Sequence, residues 1–263
     1  MRSPSSVAAL PRRDRVIIAC CIVGVTALAW AYLVRLRLQM SASTDAMTMM
    51  ASMGMATSAP LGAADLFMTW IMWSVMMIGM MSASAAPVVL LFAGTQARRD
   101  RHGVHVAVPM FGLGYLAIWL GFSAAAALAQ TALHQAALLS PAMTIMSSRL
   151  SGAILIGAGV YQLTPAKSAC LRHCQSPLGF LMSNWSDGAR GALRMGLRHG
   201  LYCLGCCWAA MGVLFVVGVM NLAWVGLLTV FILLERFGRA GMLAARVGGI
   251  VMLLVGVFLL SSV

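Results

Sequence analysis

Residues 66–94 read LFMTWIMWSVMMIGMMSASAAPVVLLFAG, 29 consecutive positions without a charged side chain. A helix rises about 1.5 Å per residue, so about 20 apolar residues cross the roughly 30 Å hydrocarbon core of a bilayer. This stretch exceeds that length. Pro87 within it lacks a backbone donor and predicts a kink. The rest of the chain has the same character: of 263 residues, 61% are hydrophobic and 9% charged, with a mean hydropathy of +0.92. A water-soluble domain carries roughly a quarter charged residues, and a disordered chain needs low hydrophobicity with high charge. Both are excluded. The sequence predicts an all-α, polytopic transmembrane helix bundle.

Working outward, seven apolar segments stand out: residues 16–34, 66–94, 106–129, 141–163, 201–219, 222–237 and 247–261. Ser140 before Pro141 predicts the start of the fourth, since serine caps and proline suits the first turn. The net charge of +12 would suggest nucleic acid in a soluble protein, but the position of the basic residues gives a membrane explanation. With the N-terminus cytoplasmic, inner segments hold Arg2, Arg12, Arg13, Arg15, Arg98, Arg99, Arg101, Lys167, Arg172, Arg190, Arg194, Arg198, Arg236, Arg239 and Arg246. Arg35, Arg37 and Arg149 remain outside. No nucleic-acid partner is expected; the lipid bilayer is. The chain divides into a cytoplasmic N-terminus with a first helix (1–35), a methionine-rich outer loop (36–65) and a six-span domain (66–263) with a basic inner loop at 166–200. The first helix has an Ala27-Leu28-Ala29 sequence of the kind a signal peptidase cleaves, but its apolar run is long and arginines follow it. It reads as a retained helix.

The densest chemistry is His199-Gly200-Leu201-Tyr202-Cys203-Leu204-Gly205-Cys206-Cys207-Trp208. At about 100° per residue, His199, Cys203, Cys206 and Cys207 share one helical face. Thiolate is the form of cysteine that binds metal, and soft sulfur with imidazole suits Cu(I) or Zn(II). A second group, Cys170, His173 and Cys174, has the same i, i+3, i+4 spacing and the same inner side. Cys20 and Cys21 stand apart on the first span and read as small packing residues. Twelve of the 22 methionines fall between Met40 and Met81. Met47, Met49, Met50, Met53 and Met55 crowd the outer loop, and Met68, Met72, Met76 and Met80 step by four down the second span, with Met77 and Met81 beside them. Thioethers select Cu(I) and need no deprotonation. Methionine is also an adaptable filler of helix interfaces, so packing is the competing explanation of the ladder.

Arg190, Arg194 and Arg198 step along one face and read as a membrane-surface helix meeting anionic lipid. Glu235 lies near an apolar span with Arg236 and Arg239 beside it, which predicts a boundary salt bridge. Gln162, Thr164 and Asn221 read as helix caps. There is no Ser-His-Asp set, phosphate loop, paired catalytic carboxylates or dinucleotide fingerprint. The chain thus reads as a binding and transfer protein rather than an enzyme.

The stretch from Gly159 to Lys167, then Cys170, Cys174, Ser176-Pro177-Leu178, Gly196 to Trp208 and Gly218-Val219-Met220-Asn221-Leu222, resembles a bacterial family of multi-pass integral membrane proteins described as predicted to bind metal. Trp73, Met76, Met77, Met80, Met81, Ser84 and Pro87 are similar to that family too. The resemblance spans residues 66–261 and implies metal binding in a bacterial inner membrane. The methionine-rich outer loop departs from the family pattern. A purely chemical likeness is to copper-uptake channels, which also pair outer methionines and a Met-x-x-x-Met helix with inner Cys and His.

The expectation is therefore a membrane protein that binds Cu(I), with zinc the alternative ion, and transfers it across the membrane or delivers it to a membrane metalloenzyme or metallochaperone. The expected ligands are His199, Cys203, Cys206, Cys207, Cys170, His173, Cys174, Met72, Met76, Met80 and Met81. Two other readings stay open: an assembly subunit of a larger membrane complex, and a thiol oxidoreductase using Cys203 and Cys206.

Overall fold

The computed structural model describes residues 11–52, 62–100, 102–139 and 144–262, with backbone alone over 41–52. The predicted cap at Ser140 and Pro141, and Met53 and Met55, lie outside the described residues. Ten helical segments follow in order: α1 Arg12–Ser52, α2 Ala63–Arg99, α3 Val104–Gln135, α4 Ser148–Leu163, α5 Pro165–Gln175, α6 Pro177–Asn184, α7 Gly188–Gly212, α8 Leu214–Val217, α9 Leu222–Glu235 and α10 Gly238–Ser261. The single turn α8 continues α7, which leaves nine helices among the described residues, and no strand is found among them.

Among the described residues five helices, not seven, are long and apolar enough to cross a bilayer: Arg12–Met40 of α1, then α2, α3, Gly188–Val217 and α10. The expected fourth and sixth spans become the 16-residue α4 and the 14-residue α9. At 1.5 Å per residue these reach only about 24 and about 21 Å. The cause at α4 is local. Ser147 accepts a hydrogen bond from the Leu150 amide and caps the helix there, seven residues after the expected start. The expected inner loop is itself helical. Thr164 accepts from the Lys167 amide, Pro165 opens α5 and Pro177 opens α6. Both prolines sit in the first turn, where a missing N–H costs nothing.

Two seams organise the bundle. In the first, α3 and α7 approach at backbone distance: a Cβ added to Gly196 would strike the Phe111 carbonyl, and one added to Gly114 would strike the backbone of residues 193–197. This brings Tyr115 of α3 alongside His199 and Cys203 of α7. In the second, α4 packs on α10, where a Cβ on Gly256 would sit 2.9 Å from the Gly152 carbonyl and one on Gly159 2.8 Å from the Gly249 carbonyl. Small residues allow such approaches between helices in a bilayer. The core lies around α2, whose buried face carries Met72, Trp73, Met76, Met77, Met80 and Met81.

Two expected roles change. Glu235 pairs with Lys167, not with its arginine neighbours, at 2.5 Å, and both side chains are buried. Gln162 does not cap; its Nε2 donates to the same Glu235 oxygen at 2.6 Å. A carboxylate removed from water needs its partners within direct reach, and Lys167 from α5 meets that need, since Arg236 turns to Cys203 and Arg239 is exposed. Thr164 does cap, while Asn221 precedes α9 without a side-chain capping bond.

Candidate metal centre

The α7 thiols are fully buried: Cys203 is 0% exposed and Cys206 and Cys207 each 1%. Their spacing places Cys206 and Cys207 one turn beyond Cys203, and both thiols donate to the Cys203 carbonyl, at 3.0 and 2.9 Å. From α5, Cys174 is also buried, with its sulfur 4.0 Å from that of Cys206. Hydrogen bonding with Cys203 and Cys206, reinforced by burial, pushes the Cys174 thiol well above the ordinary range. Cys170 is half-buried and lies against Gly205 of α7. Burial pushes its thiol up as well.

Cys203 is the centre of the polar contacts. The Tyr115 hydroxyl lies 3.4 Å from its sulfur and Arg236 donates from Nη2 to it at 3.1 Å. The other arm of Arg236, Nη1, donates to the Ser84 carbonyl of α2 at 3.2 Å, so one guanidinium ties α2, α7 and the end of α9 together. His199, one turn before Cys203, is buried against Phe111, Tyr115 and Phe180, and neither ring nitrogen has a hydrogen-bond partner. A buried, unpaired imidazole is uncommon, because a buried polar atom without a partner costs about 1–3 kcal/mol. His173 is placed differently: its ring stacks on Tyr202 at 4.2 Å and its Nδ1 meets the Ala169 carbonyl.

The methionines fall into two groups. Met68 is exposed, so the buried ladder starts at Met72 and continues through Met76, Met77, Met80 and Met81. These five join Cys174, Cys203, Cys206 and Cys207 in one continuous buried cluster, together with Trp73, Tyr115 and Met211. Thioethers and thiols thus share one buried core. Among the described residues, no three His, Cys, Asp or Glu groups converge as a ready-made metal cage. The donor chemistry nonetheless fits a soft ion that accepts few ligands. Sulfur predominates, an imidazole stands unpaired one turn away, and among the described residues no carboxylate bonds to the thiols.

Two features of this site escaped the sequence. Arg236, expected beside Glu235, faces Cys203, and Tyr115 carries no signal in the sequence beyond its place in an apolar span. The buried Lys167–Glu235–Gln162 network was half visible: an acid near an apolar span announces a partner without naming it.

No curated protein and no solved structure matches the chain. A family model does match residues 70–259, from the second helix through most of the last, and its description is copper chaperone. The match covers the whole sulfur cluster, from Met72 to Cys207, together with Arg236. The chain belongs to the PpoB2 copper chaperone family.

Proposed function

We propose that this is a multi-pass protein of a bacterial inner membrane that receives Cu(I) at its outer side, passes it along the α2 thioethers and holds it at the α5 and α7 thiols. From there the ion is handed to a membrane metalloenzyme or a cytoplasmic metallochaperone. One observation carries this reading: the buried methionines of α2 and the buried cysteines of α5 and α7 form a single cluster. A soft monovalent ion moves between uncharged thioethers without proton exchange, and thiolates at the end of the path hold it more tightly. The bilayer is the expected surroundings. Large apolar side chains such as Leu28, Leu128, Leu254 and Phe258 are exposed on the spanning helices. The basic residues favour a cytoplasmic N-terminus, so the path runs inward toward the thiols.

The expected holding ligands are Cys203, Cys206, Cys207 and Cys174, with His199 completing the set once a side-chain rotation frees the thiols from the Cys203 carbonyl. Cys170 and His173 stand at the rim, where they serve release. Serine in place of both Cys206 and Cys207 preserves size and hydrogen bonding. The purified double variant is expected to retain less than about a tenth of the copper of the parent while keeping its helicity and yield. Copper retention equal to the parent overturns the proposal. A stoichiometric protein partner in place of metal would support an assembly subunit instead.

One distance favours a second reading. Cys174 and Cys206 are 4.0 Å apart through sulfur, across two helices, so a thiol oxidoreductase would use this pair rather than Cys203 and Cys206. A disulfide joining residues 174 and 206 that forms and reduces reversibly during turnover would support it.

A further inference from the structure

Arg236 brings a permanent positive charge to the thiols. Its Nη2 lies 3.1 Å from the Cys203 sulfur, and its Nη1 is anchored on the Ser84 carbonyl, which holds the guanidinium in place. The neighbouring charges do not cancel it. Lys167 is matched by Glu235 at 2.5 Å, and among the described residues Arg236 forms no ion pair with a carboxylate. Guanidinium does not lose its proton in proteins. Any ion held by Cys203 must therefore share a small, water-poor volume with one fixed positive charge.

We infer that Arg236 is a specificity-determining residue that selects monovalent over divalent soft cations at this site. The inference deepens the copper reading and rests on it. Cu(I) and Zn(II) are both d¹⁰ ions, so d-electron geometry separates neither from the other. Cu(I) is satisfied by two thiolates, Cys203 and one neighbour, with the remaining cysteines kept as neutral thiols; that centre carries a net charge of −1, which the guanidinium balances. The same thiolates with Zn(II) are neutral, and the guanidinium is then left without compensation beside a dication. Charge left unbalanced in a medium of low dielectric is strongly unfavourable. The arrangement works without a preformed cage: it excludes the divalent ion by repulsion rather than by fit.

The test uses the full chain in detergent or lipid nanodiscs under reducing conditions, offered equal Cu(I) and Zn(II), with bound metal measured by mass spectrometry. The parent retains copper and excludes zinc. Arg236→Met raises the zinc-to-copper ratio by about tenfold or more, whereas Arg236→Lys, which keeps the charge, leaves it within about threefold. An unchanged ratio in a folded Arg236→Met variant, shown by parental helicity and a single gel-filtration peak, overturns the inference. Ag(I) and Cd(II) supply a check on the parent alone, since they differ by one charge while both are soft. Preference for Ag(I) supports charge selection, and equal retention of Cd(II) overturns it even if no variant folds. A parent that binds none of these ions overturns the copper site itself, an outcome distinct from a parent that binds both valences equally.

Discussion

Helices α2 and α10 are both long and apolar enough to span a bilayer, yet half of the most apolar stretch of α2 is buried against 17% for α10. The side chains they bury differ in kind. Along α2 these are Met72, Trp73, Met76, Met77, Met80 and Met81, whereas α10 buries only Gly241, Ala245, Gly249 and Gly256. The difference separates two uses of apolar sequence. In α10 the buried face is made small so that another backbone can approach, and the large side chains face outward. In α2 the buried face is large, polarizable and adjacent to thiols, which a packing surface does not require. Methionine fills space well, and on α2 five buried thioethers share one cluster with four buried thiols.

The largest expected effect lies between these two helices in the chain, at the buried charge pair of α5 and α9. Lys167→Met leaves Glu235 buried without a cation and is expected to cost about 3–5 kcal/mol, read as a fall in thermal midpoint in detergent. Adding Glu235→Gln to that variant should recover most of the loss. If the double variant is no more stable than the single one, the pair is not what holds α5 against α9. Next in size is the seam of α10. At Gly256, a Cβ would meet Ile156 Cγ1 at 2.7 Å, so Gly256→Val is expected to lower stability by about 1–3 kcal/mol. Copper bound per folded molecule should stay at the parental level, and a loss of copper at full stability would join the seam to the metal path.

Met76→Leu with Met80→Leu sharpens the other side. Volume and apolarity are kept, so stability should move by less than about 1.5 kcal/mol. A thioether path predicts slower copper movement into vesicles with thiol-site binding intact. Unchanged movement would make α2 a packing helix like α10. The smallest effect concerns Cys170, half-buried while Cys174, Cys203, Cys206 and Cys207 are buried. Maleimide should label Cys170 before those four. Because its thiol stays protonated to higher pH than an ordinary one, labelling should keep rising beyond the pH at which a free thiol is fully ionised. Bound Cu(I) should slow it.

What the sequence revealed of this arrangement was local. Met72, Met76 and Met80, and separately Cys203, Cys206 and Cys207, could be placed on shared faces because helical spacing is a property of a few adjacent turns. The helical class followed from long uncharged runs. What stayed hidden depends on contact between distant segments. Arg236 and Cys203 are 33 residues apart, and Lys167 and Glu235 are 68 apart, on helices whose mutual rotation no periodicity encodes. Two serines precede apolar runs near the start of α4, and the fold shows that Ser147 caps it. The charge of the inner segment suggests a loop, yet Thr164-Pro165 and Ser176-Pro177 each open a helix there.

The tie between Cys203 and Arg236 also bears on how the protein is made. Helices emerge from the ribosome in chain order, and the earlier ones begin to associate before the later ones exist. The thioethers of α2 are ready first, the thiols of α7 long afterwards, and the guanidinium that meets them only when α9 has been completed. The three glycines and one alanine that α10 buries come later still, and of these Gly249 and Gly256 lie against α4. A chain stalled before residue 236 would therefore carry the cysteines without their countercharge.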